Sequence, residues 1–271
     1  MKVLNGQELA SFIKERQAKQ VRGLRQAWHI LPKLAIVTDS DNPVIQTYMR
    51  LKQSYGADIL IDVEIHQVAA EQLVPTITDL NQRDDVQGII VQLPLTDPAM
   101  TDQILSLVTP DKDVDGLNPQ GTTFDAATPT AINWLLAGYS IELAGKRLAI
   151  VGHGRLVGRP LARMWRNSGH EVTVFEKGDN LAVLRDYDVI VSATGVAGLI
   201  TSNMVRSGAV VVDAGTASED GKIVGDVAPA VRARQDIHIT PEKGGVGPLT
   251  VVALFDNLIQ ACLRRANQSA S

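Results

Sequence analysis

The chain has 271 residues, of which 45% are hydrophobic and 21% charged, and its formal net charge is −4. This composition is typical of a globular protein with one large or two small domains. The negative balance argues against a basic surface for nucleic acid or anionic membranes, so we expect no partner of either kind. We expect no signal peptide and no apolar run near the roughly 20 residues that span a bilayer. The single cysteine, Cys262, cannot form an internal disulfide, and together these features predict a cytoplasmic protein.

Helices and strands alternate along the first part of the chain. Apolar periodicity predicts helices at Leu4–Ala27, Pro43–Tyr55 and Glu71–Asn81 and strands at Leu34–Val37, Ile59–Ile65 and Gly88–Leu93. Asn42 is expected to cap the second helix, with Pro43 as its first residue and Gly56 as its end. Strands that alternate with helices indicate a parallel sheet with right-handed crossovers.

The segment Asp111–Gly121 is dense in turn-forming residues and predicts a domain boundary. Beyond it we predict a helix at Thr128–Ala137, strands at Leu148–Val151, Val172–Phe175, Val189–Ser192, Ala209–Asp213 and Ile237–Ile239, and a last helix at Leu249–Arg265. The last helix is too apolar for one exposed face, so we expect it to pack on the first domain. The predicted fold is therefore α/β with two α/β domains, residues 1–117 plus 250–271 and residues 118–249.

A glycine-rich turn follows the predicted strand Leu148–Val151. Gly152, Gly154 and Gly158 lie between this strand and a helix expected to begin near Leu156. Glycines in this position allow a tight turn and a close approach of a phosphate, and the free N–H groups of the helix start face the anion. The context favours a Rossmann-like dinucleotide site over a glycine turn without a ligand.

Several polar residues elsewhere could carry chemistry. Tyr48 and Lys52 are four apart on one helix face, which suits a lysine of lowered pKa, although lysines are mostly solvated at the surface. Gln92 comes at the end of an apolar strand, where it could orient a substrate or bond only to the backbone. Asp113 and Asp115 could bind a nitrogen heterocycle or form Asx turns. Spacing alone leaves these alternatives open, and the placement of cysteine and histidine offers no metal site.

Six short motifs connect these residues. They are Tyr48-Met-Arg-Leu-Lys52, Val91-Gln-Leu-Pro-Leu95, Asp111-Lys-Asp-Val-Asp-Gly116, Val157-Gly-Arg-Pro160, Gly225-Asp-Val227 and Gly244-Gly-Val-Gly-Pro-Leu-Thr250. Their order and spacing resemble the bifunctional methylenetetrahydrofolate dehydrogenase/methenyltetrahydrofolate cyclohydrolases, and the resemblance covers nearly the whole chain.

The resemblance implies a homodimeric enzyme that oxidises 5,10-methylenetetrahydrofolate and hydrolyses the product to 10-formyltetrahydrofolate in a cleft between its domains. It implies that Lys52 is the central acid/base group, Gln92 its hydrogen-bond partner, Tyr48 the ring near the pterin, and Asp115 the anchor of the pterin nitrogens. The predicted substrate site also includes Leu93, Gly244, Gly245 and Pro248.

The resemblance further implies NADP as the cofactor. His153, Arg155 and Lys177 could supply positive charge for a 2′-phosphate, whereas Glu176 ends the second strand of the dinucleotide domain, where an acid normally binds the ribose of NAD. We therefore predict NADP, with NAD as the alternative. The predicted cofactor-binding residues are Gly152, His153, Gly154, Arg155, Gly158, Glu176, Lys177, Thr194, Gly195 and Gly215.

Some positions depart from the family pattern. Ile45 replaces a serine, Ser54 replaces a lysine, and Glu242 and Lys243 introduce charges near the expected nicotinamide site. These departures leave two alternatives, a two-domain dehydrogenase that resembles shikimate dehydrogenase and a non-catalytic protein that only binds folate or dinucleotide.

Overall fold

The computed structural model describes residues 2–215, 217–219 and 222–269, which form two compact units. The first unit consists of Phe12–Ala127 and Val251–Ser271, and the second of Met1–Ser11 and Thr128–Thr250. The domain boundaries expected from the sequence lie at residues 117 and 249 and assign the first eleven residues to the first domain. Those residues belong to the second unit because β1 (Lys2–Val3) pairs in parallel with β11 (His238–Ile239).

The first unit is built on a three-stranded parallel sheet. Its strands are β2 (Lys33–Thr38), β3 (Asp62–Gln67) and β4 (Gly88–Val91), in the spatial order β3–β2–β4. The helices are α1 (Gly6–Ala27), which belongs to this unit from Phe12 onward, α2 (Pro43–Asp58), α3 (Leu73–Gln82) and α4 (Thr101–Leu105). The chain runs from β2 outward to β3 and then returns past β2 to β4. This reversal creates a switch point at the carboxyl ends of β2 and β4, where ligands bind in open α/β sheets.

The second unit contains a six-stranded parallel sheet with the order β1–β11–β8–β7–β5–β6. Its other strands are β5 (Leu148–Val151), β6 (Val172–Phe175), β7 (Val189–Ser192) and β8 (Val210–Asp213), and its helices are α5 (Ala127–Gly138), α6 (Gly158–Asn167) and α7 (Pro229–Arg232). A separate antiparallel pair joins β9 (Ala217–Glu219) to β10 (Lys222–Val224). The switch point of the large sheet lies between β5 and β7, since the chain goes from β5 to β6 on one side and to β7 on the other.

The last helix, α8 (Val246–Ser269), confirms the prediction that it packs on the first domain. Asn257 Nδ2 donates to the backbone oxygens of Val114 and Asp125, both at 2.9 Å. The expectation that no apolar run approaches membrane-spanning length is wrong for this helix, since the most apolar 18-residue window within Val246–Gln268 has a mean hydropathy of 1.6. However, 56% of its most apolar window is buried inside the protein, as in an ordinary core helix.

The predictions for the two ends of α2 have different outcomes. The Asn42 cap is confirmed, because its side chain accepts the Val44 N–H at 2.9 Å. The prediction that Gly56 ends α2 is wrong. Gly56 is buried inside the helix, where a Cβ would lie 2.6 Å from a methyl group of Val63 on β3. This glycine therefore allows close packing of helix on strand rather than a chain reversal.

Candidate active site

The Lys52 amine and the Gln92 amide are in direct contact. Lys52 lies on α2 one turn after Tyr48, and Gln92 directly follows β4. Lys52 Nζ donates to Gln92 Oε1 at 2.6 Å, and Gln92 Nε2 donates to the backbone oxygen of Leu93 at 3.1 Å. The second bond orients the amide so that its oxygen faces the amine. Of the alternatives left open by spacing, the structure favours an ordered, half-buried lysine over a solvated one.

Burial shifts the ionisation of Lys52 and of Asp115 towards their neutral forms. Desolvation lowers the pKa of Lys52, and the charge of Asp115 partly opposes that shift. Desolvation likewise raises the pKa of Asp115 to about 6, although the charge of Lys52 acts in the opposite direction. The charge of each group therefore shifts the pKa of the other in favour of its charged form.

The two candidate aspartates of the loop after α4 have different environments. Asp113 is buried and accepts the backbone N–H groups of Gly116 at 3.1 Å and Asn118 at 2.8 Å. This is the structural use expected of an aspartate in a turn. Gly116 has a φ of +70°, and a Cβ there would meet Ala126 N at 2.7 Å. The loop formed in this way leaves Asp115 as the carboxylate that acts on Lys52.

Lys112, in the same loop, is a structural residue. Its amine donates to the backbone oxygens of Leu80 at 3.0 Å, Asn81 at 2.8 Å and Arg83 at 2.7 Å, at the end of α3. We expect Lys112→Met to lower the free energy of unfolding by about 1–3 kcal/mol, because charge-assisted bonds to the helix carboxyl end are lost. Thermal unfolding measures this effect, with the exposed Lys19→Met as the control. Equal melting temperatures for the two variants would contradict it.

Tyr48 lies one helical turn before Lys52, Leu93 directly follows Gln92, and both side chains are half-buried. Partial burial raises the pKa of the Tyr48 hydroxyl, so the ring stays neutral and presents an apolar surface. Ile45, where the family has serine, is 5% exposed and belongs to the core, whereas Ser54 is exposed. Neither departure alters the contact between Lys52 and Gln92.

In the second unit, three glycines shape the turn between β5 and α6, each for a different reason. Gly152 has a φ of +95°, and a Cβ there would lie 2.6 Å from the Ala193 backbone oxygen. A Cβ on Gly158 would lie 1.8 Å from Gly152 O, whereas one on Gly154 would meet nothing within 4 Å. In a dinucleotide-binding turn, one glycine permits the tight turn, one lets the pyrophosphate approach the backbone, and one lets the helix pack closely. Gly152, Gly154 and Gly158 meet these three requirements in that order, so the turn fits a dinucleotide. Helix α6 begins at Gly158, two residues after the predicted start.

The turn also contains an ionic contact to the neighbouring strand. His153 Nδ1 lies 2.9 Å from Oε1 of Glu176, the first residue after β6. Lys177 follows Glu176 and is exposed, and Arg155 is half-buried in the turn. The structure thus joins two of the residues that were predicted to act on the cofactor in opposite senses.

Sequence reasoning missed Asp226, which organises the end of β7. Its carboxylate is fully buried, and one oxygen accepts three hydrogen bonds, from Ser192 Oγ at 2.7 Å, Thr194 N at 2.7 Å and Thr194 Oγ1 at 2.9 Å. Thr194 and Gly195, both predicted to bind the cofactor, follow β7 at the switch point of the sheet. The motif Gly225-Asp226-Val227 was visible in the sequence, but no role was predicted for its aspartate.

Gly215 has a structural reason to be glycine. A Cβ there would lie 1.9 Å from Asp226 Oδ1, and a Cβ on Gly225 would lie 2.0 Å from Asp213 Oδ2. Asp213 in turn accepts the Gly215 N–H at 3.0 Å and the Asp226 N–H at 3.1 Å. Two glycine–aspartate pairs therefore pack reciprocally, and the role of Gly215 towards the cofactor stays a prediction.

The predicted substrate residues Gly244, Gly245 and Pro248 lie around the start of α8. The Gln7 N–H donates to the backbone oxygen of Gly244 at 2.9 Å, and Gly245 packs so closely on Gly6 that a Cβ on Gly6 would lie 1.9 Å from Gly245 O. Pro248 lies in the first turn of α8, where a missing N–H costs no helical bond. These glycines connect the loop to the N-terminal segment, and their contact with substrate stays a prediction.

The dinucleotide turn on the parallel sheet of the second unit and the half-buried, hydrogen-bonded lysine of the first unit together define the class of dinucleotide-dependent enzymes. Two protein-family models match the chain. The model described as "Tetrahydrofolate dehydrogenase/cyclohydrolase, catalytic domain" matches residues 4–115, and the one described as "Tetrahydrofolate dehydrogenase/cyclohydrolase, NAD(P)-binding domain" matches residues 126–266. The chain belongs to this tetrahydrofolate dehydrogenase/cyclohydrolase family, as the resemblance predicted.

Individual relatives match along nearly their whole length. The bifunctional protein FolD of a Hydrogenobaculum species is 36% identical over 98% of this chain and 100% of its own. The crystal structure of the FolD dehydrogenase/cyclohydrolase of Campylobacter jejuni is 36% identical, with a TM-score of 0.91 over 98% of this chain and 99% of that one. The Trypanosoma brucei enzyme, solved with NADP and an inhibitor, is 30% identical, with a TM-score of 0.90 over 97% of both chains. These matches do not favour the alternative resembling shikimate dehydrogenase.

Proposed function

We propose that the protein oxidises 5,10-methylenetetrahydrofolate to 5,10-methenyltetrahydrofolate with NADP and hydrolyses that product to 10-formyltetrahydrofolate. The observation that carries the proposal is the 2.6 Å contact of Lys52 with Gln92, coupled to Asp115, in a chain of this family. Gln92 fixes the amine by accepting one of its N–H groups, Tyr48 contacts the pterin ring, and Asp115 accepts the pterin N–H groups.

In this proposal Lys52 moves the protons of ring opening. Water must lose two protons when the methenyl cation becomes neutral 10-formyltetrahydrofolate, one of which ends on ring nitrogen N5 and the other in solvent. The neutral amine takes a proton from water as the C–O bond forms, and the resulting ammonium protonates N5 as the C–N5 bond breaks. Burial favours the neutral amine that the first transfer needs.

The glycine turn binds the dinucleotide in this proposal. NADP, when bound, supplies the acceptor for the hydride of the methylene carbon. Gly154 leaves room for the pyrophosphate, and the N–H groups before α6 face it. Thr194, which Asp226 fixes, and Gly195 follow β7 at the same carboxyl edge of the sheet.

The pH profile of ring opening tests the coupling of Asp115 to Lys52. Since the charge of Asp115 raises the pKa of Lys52, Asp115→Asn should lower that pKa and move the rising limb of the cyclohydrolase profile to lower pH. The midpoint is the readout, because loss of a pterin contact also lowers the maximal rate. Asp111→Asn, an exposed aspartate of the same loop, is the control. A midpoint that is unchanged or higher in Asp115→Asn would show that Asp115 does not control the charge of Lys52.

An absorbance assay with methylenetetrahydrofolate and each dinucleotide in turn tests the function as a whole. We expect reduced dinucleotide to form with NADP, followed by slow loss of the methenyl absorbance. The non-catalytic alternative predicts instead that a dinucleotide raises the melting temperature without any turnover. Turnover with neither dinucleotide would refute the proposed oxidation.

We also propose that the protein acts as a cytoplasmic homodimer that binds neither nucleic acid nor membranes. The dimer rests on the family resemblance, and the absence of other partners on the net charge of −4. Light scattering after size-exclusion chromatography measures the mass, and a species near 29.2 kDa would contradict the dimer.

A further inference from the structure

The ionic pair His153–Glu176 lies where a dinucleotide enzyme selects between NAD and NADP. Glu176 directly follows β6, and β6 pairs with β5, whose carboxyl end leads into the glycine turn. The Gly152 N–H donates to the backbone oxygen of Phe175 at 2.8 Å, so the turn and this strand end are adjacent. An acid in this position of a dinucleotide-binding sheet accepts the ribose 2′-OH and repels a 2′-phosphate.

The contact gives the acid a partner that can cancel its charge. His153 Nδ1 lies 2.9 Å from Glu176 Oε1, with side-chain exposures of 33% and 64%. A protonated imidazole at this distance neutralises the carboxylate and keeps its second nitrogen as a donor, whereas a neutral imidazole leaves the negative charge in place.

Other charged side chains also lie close to the His153–Glu176 pair. Asp179 adds negative charge nearby, since it accepts the Glu176 N–H at 2.7 Å. Arg155 and Lys177 bring positive charge from the turn and from the strand end, and His153 contacts the Glu176 carboxylate directly.

We propose that His153 is a specificity-determining residue that neutralises Glu176 when protonated and so allows the 2′-phosphate of NADP to bind beside an acid. The proposal rests on the proposed use of NADP. With the carboxylate neutralised by the imidazole the site accepts NADP, whereas a bare carboxylate in this position favours NAD.

A double-mutant cycle on dinucleotide binding tests the proposal. The dissociation constants of NADPH and NADH are measured by their fluorescence for the wild type, His153→Ala, Glu176→Gln and the double variant, together with kcat/KM for both oxidised forms. We expect His153→Ala to weaken NADPH binding at least about fivefold, the lower end of usual coupling between sites, and to change NADH binding little. In the Glu176→Gln background the same change should have a much smaller effect, because the charge that His153 neutralises is gone.

A matched control makes the outcome specific. His170→Ala removes a half-buried histidine of the same unit and should leave the NADPH/NADH ratio unchanged. Equal loss of both dinucleotides in His153→Ala, or an undiminished loss in the Glu176→Gln background, would overturn the proposal. Failure of the wild type to bind either dinucleotide would instead refute the proposed function.

Discussion

Replacing Lys52 by methionine is expected to slow hydrolysis of methenyltetrahydrofolate by about 10²–10⁴-fold, the usual contribution of general acid–base catalysis. Methionine has a similar shape but transfers no proton. The fold should survive, because burial already disfavours the charged form of Lys52 and an apolar side chain suits that position. The decay of the methenyl absorbance measures the rate, and thermal unfolding confirms that the variant is folded.

The oxidation step separates this role from a general loss of the site. Oxidation of the methylene compound needs no proton transfer by Lys52, so its rate should fall less than the rate of hydrolysis. The exposed Lys19→Met, which changes the same residue type on α1, should leave both rates unchanged. Unchanged hydrolysis in the Lys52→Met variant would remove the lysine from the mechanism.

The strands of the second unit show what the sequence alone could predict. The bounds of β5, β6 and β7 agree with the predicted Leu148–Val151, Val172–Phe175 and Val189–Ser192. Short apolar runs bounded by turn residues are typical of buried parallel strands, and the signal is local. In contrast, β1 has only two residues and depends entirely on pairing with β11, so no local pattern predicts it.

The contact between Lys52 and Gln92 depends on distant parts of the chain. It requires that β4 pair with β2, with Val91 opposite Val37, so that the end of β4 reaches α2. Spacing within α2 could only place Lys52 on the same face as Tyr48, and a solvated lysine fitted that spacing equally well. The family resemblance predicted that Lys52 and Gln92 are hydrogen-bond partners, which the spacing of residues along the chain could not predict.

Asp226 shows the opposite case, a residue whose motif was visible but whose role was not. Its partners Ser192 and Thr194 lie more than thirty residues earlier, at the end of β7 and in the loop that follows it. A buried carboxylate is rare unless it is hydrogen-bonded, and the sequence gives no measure of burial for a single aspartate between a glycine and a valine. The reason that Gly215 is glycine became apparent only together with this carboxylate.

Gly158→Ala and Gly154→Ala, two identical changes in one turn, are expected to have different effects on stability. A methyl group on Gly158 would lie 1.8 Å from Gly152 O, so the backbone of the turn must move. Overpacking of this kind costs about 1–3 kcal/mol of stability, and a clash with backbone should fall at the upper end. A methyl group on Gly154 would meet no protein atom within 4 Å, and the φ of this residue is outside the left-handed region, so the melting temperature should not change.

The two variants therefore separate the structural from the binding role of the turn. Gly154→Ala should bind NADPH about tenfold more weakly, a loss of about 1.4 kcal/mol, because its methyl group occupies space that the pyrophosphate needs. Gly158→Ala should lower the melting temperature by several degrees and lose affinity only as a consequence of the displaced turn. Calorimetric unfolding and NADPH fluorescence titration, each performed on both variants, give the four values required. If Gly154→Ala bound NADPH as tightly as the wild type, the pyrophosphate would not lie against the backbone at this glycine, and the proposed binding role of Gly154 would be wrong.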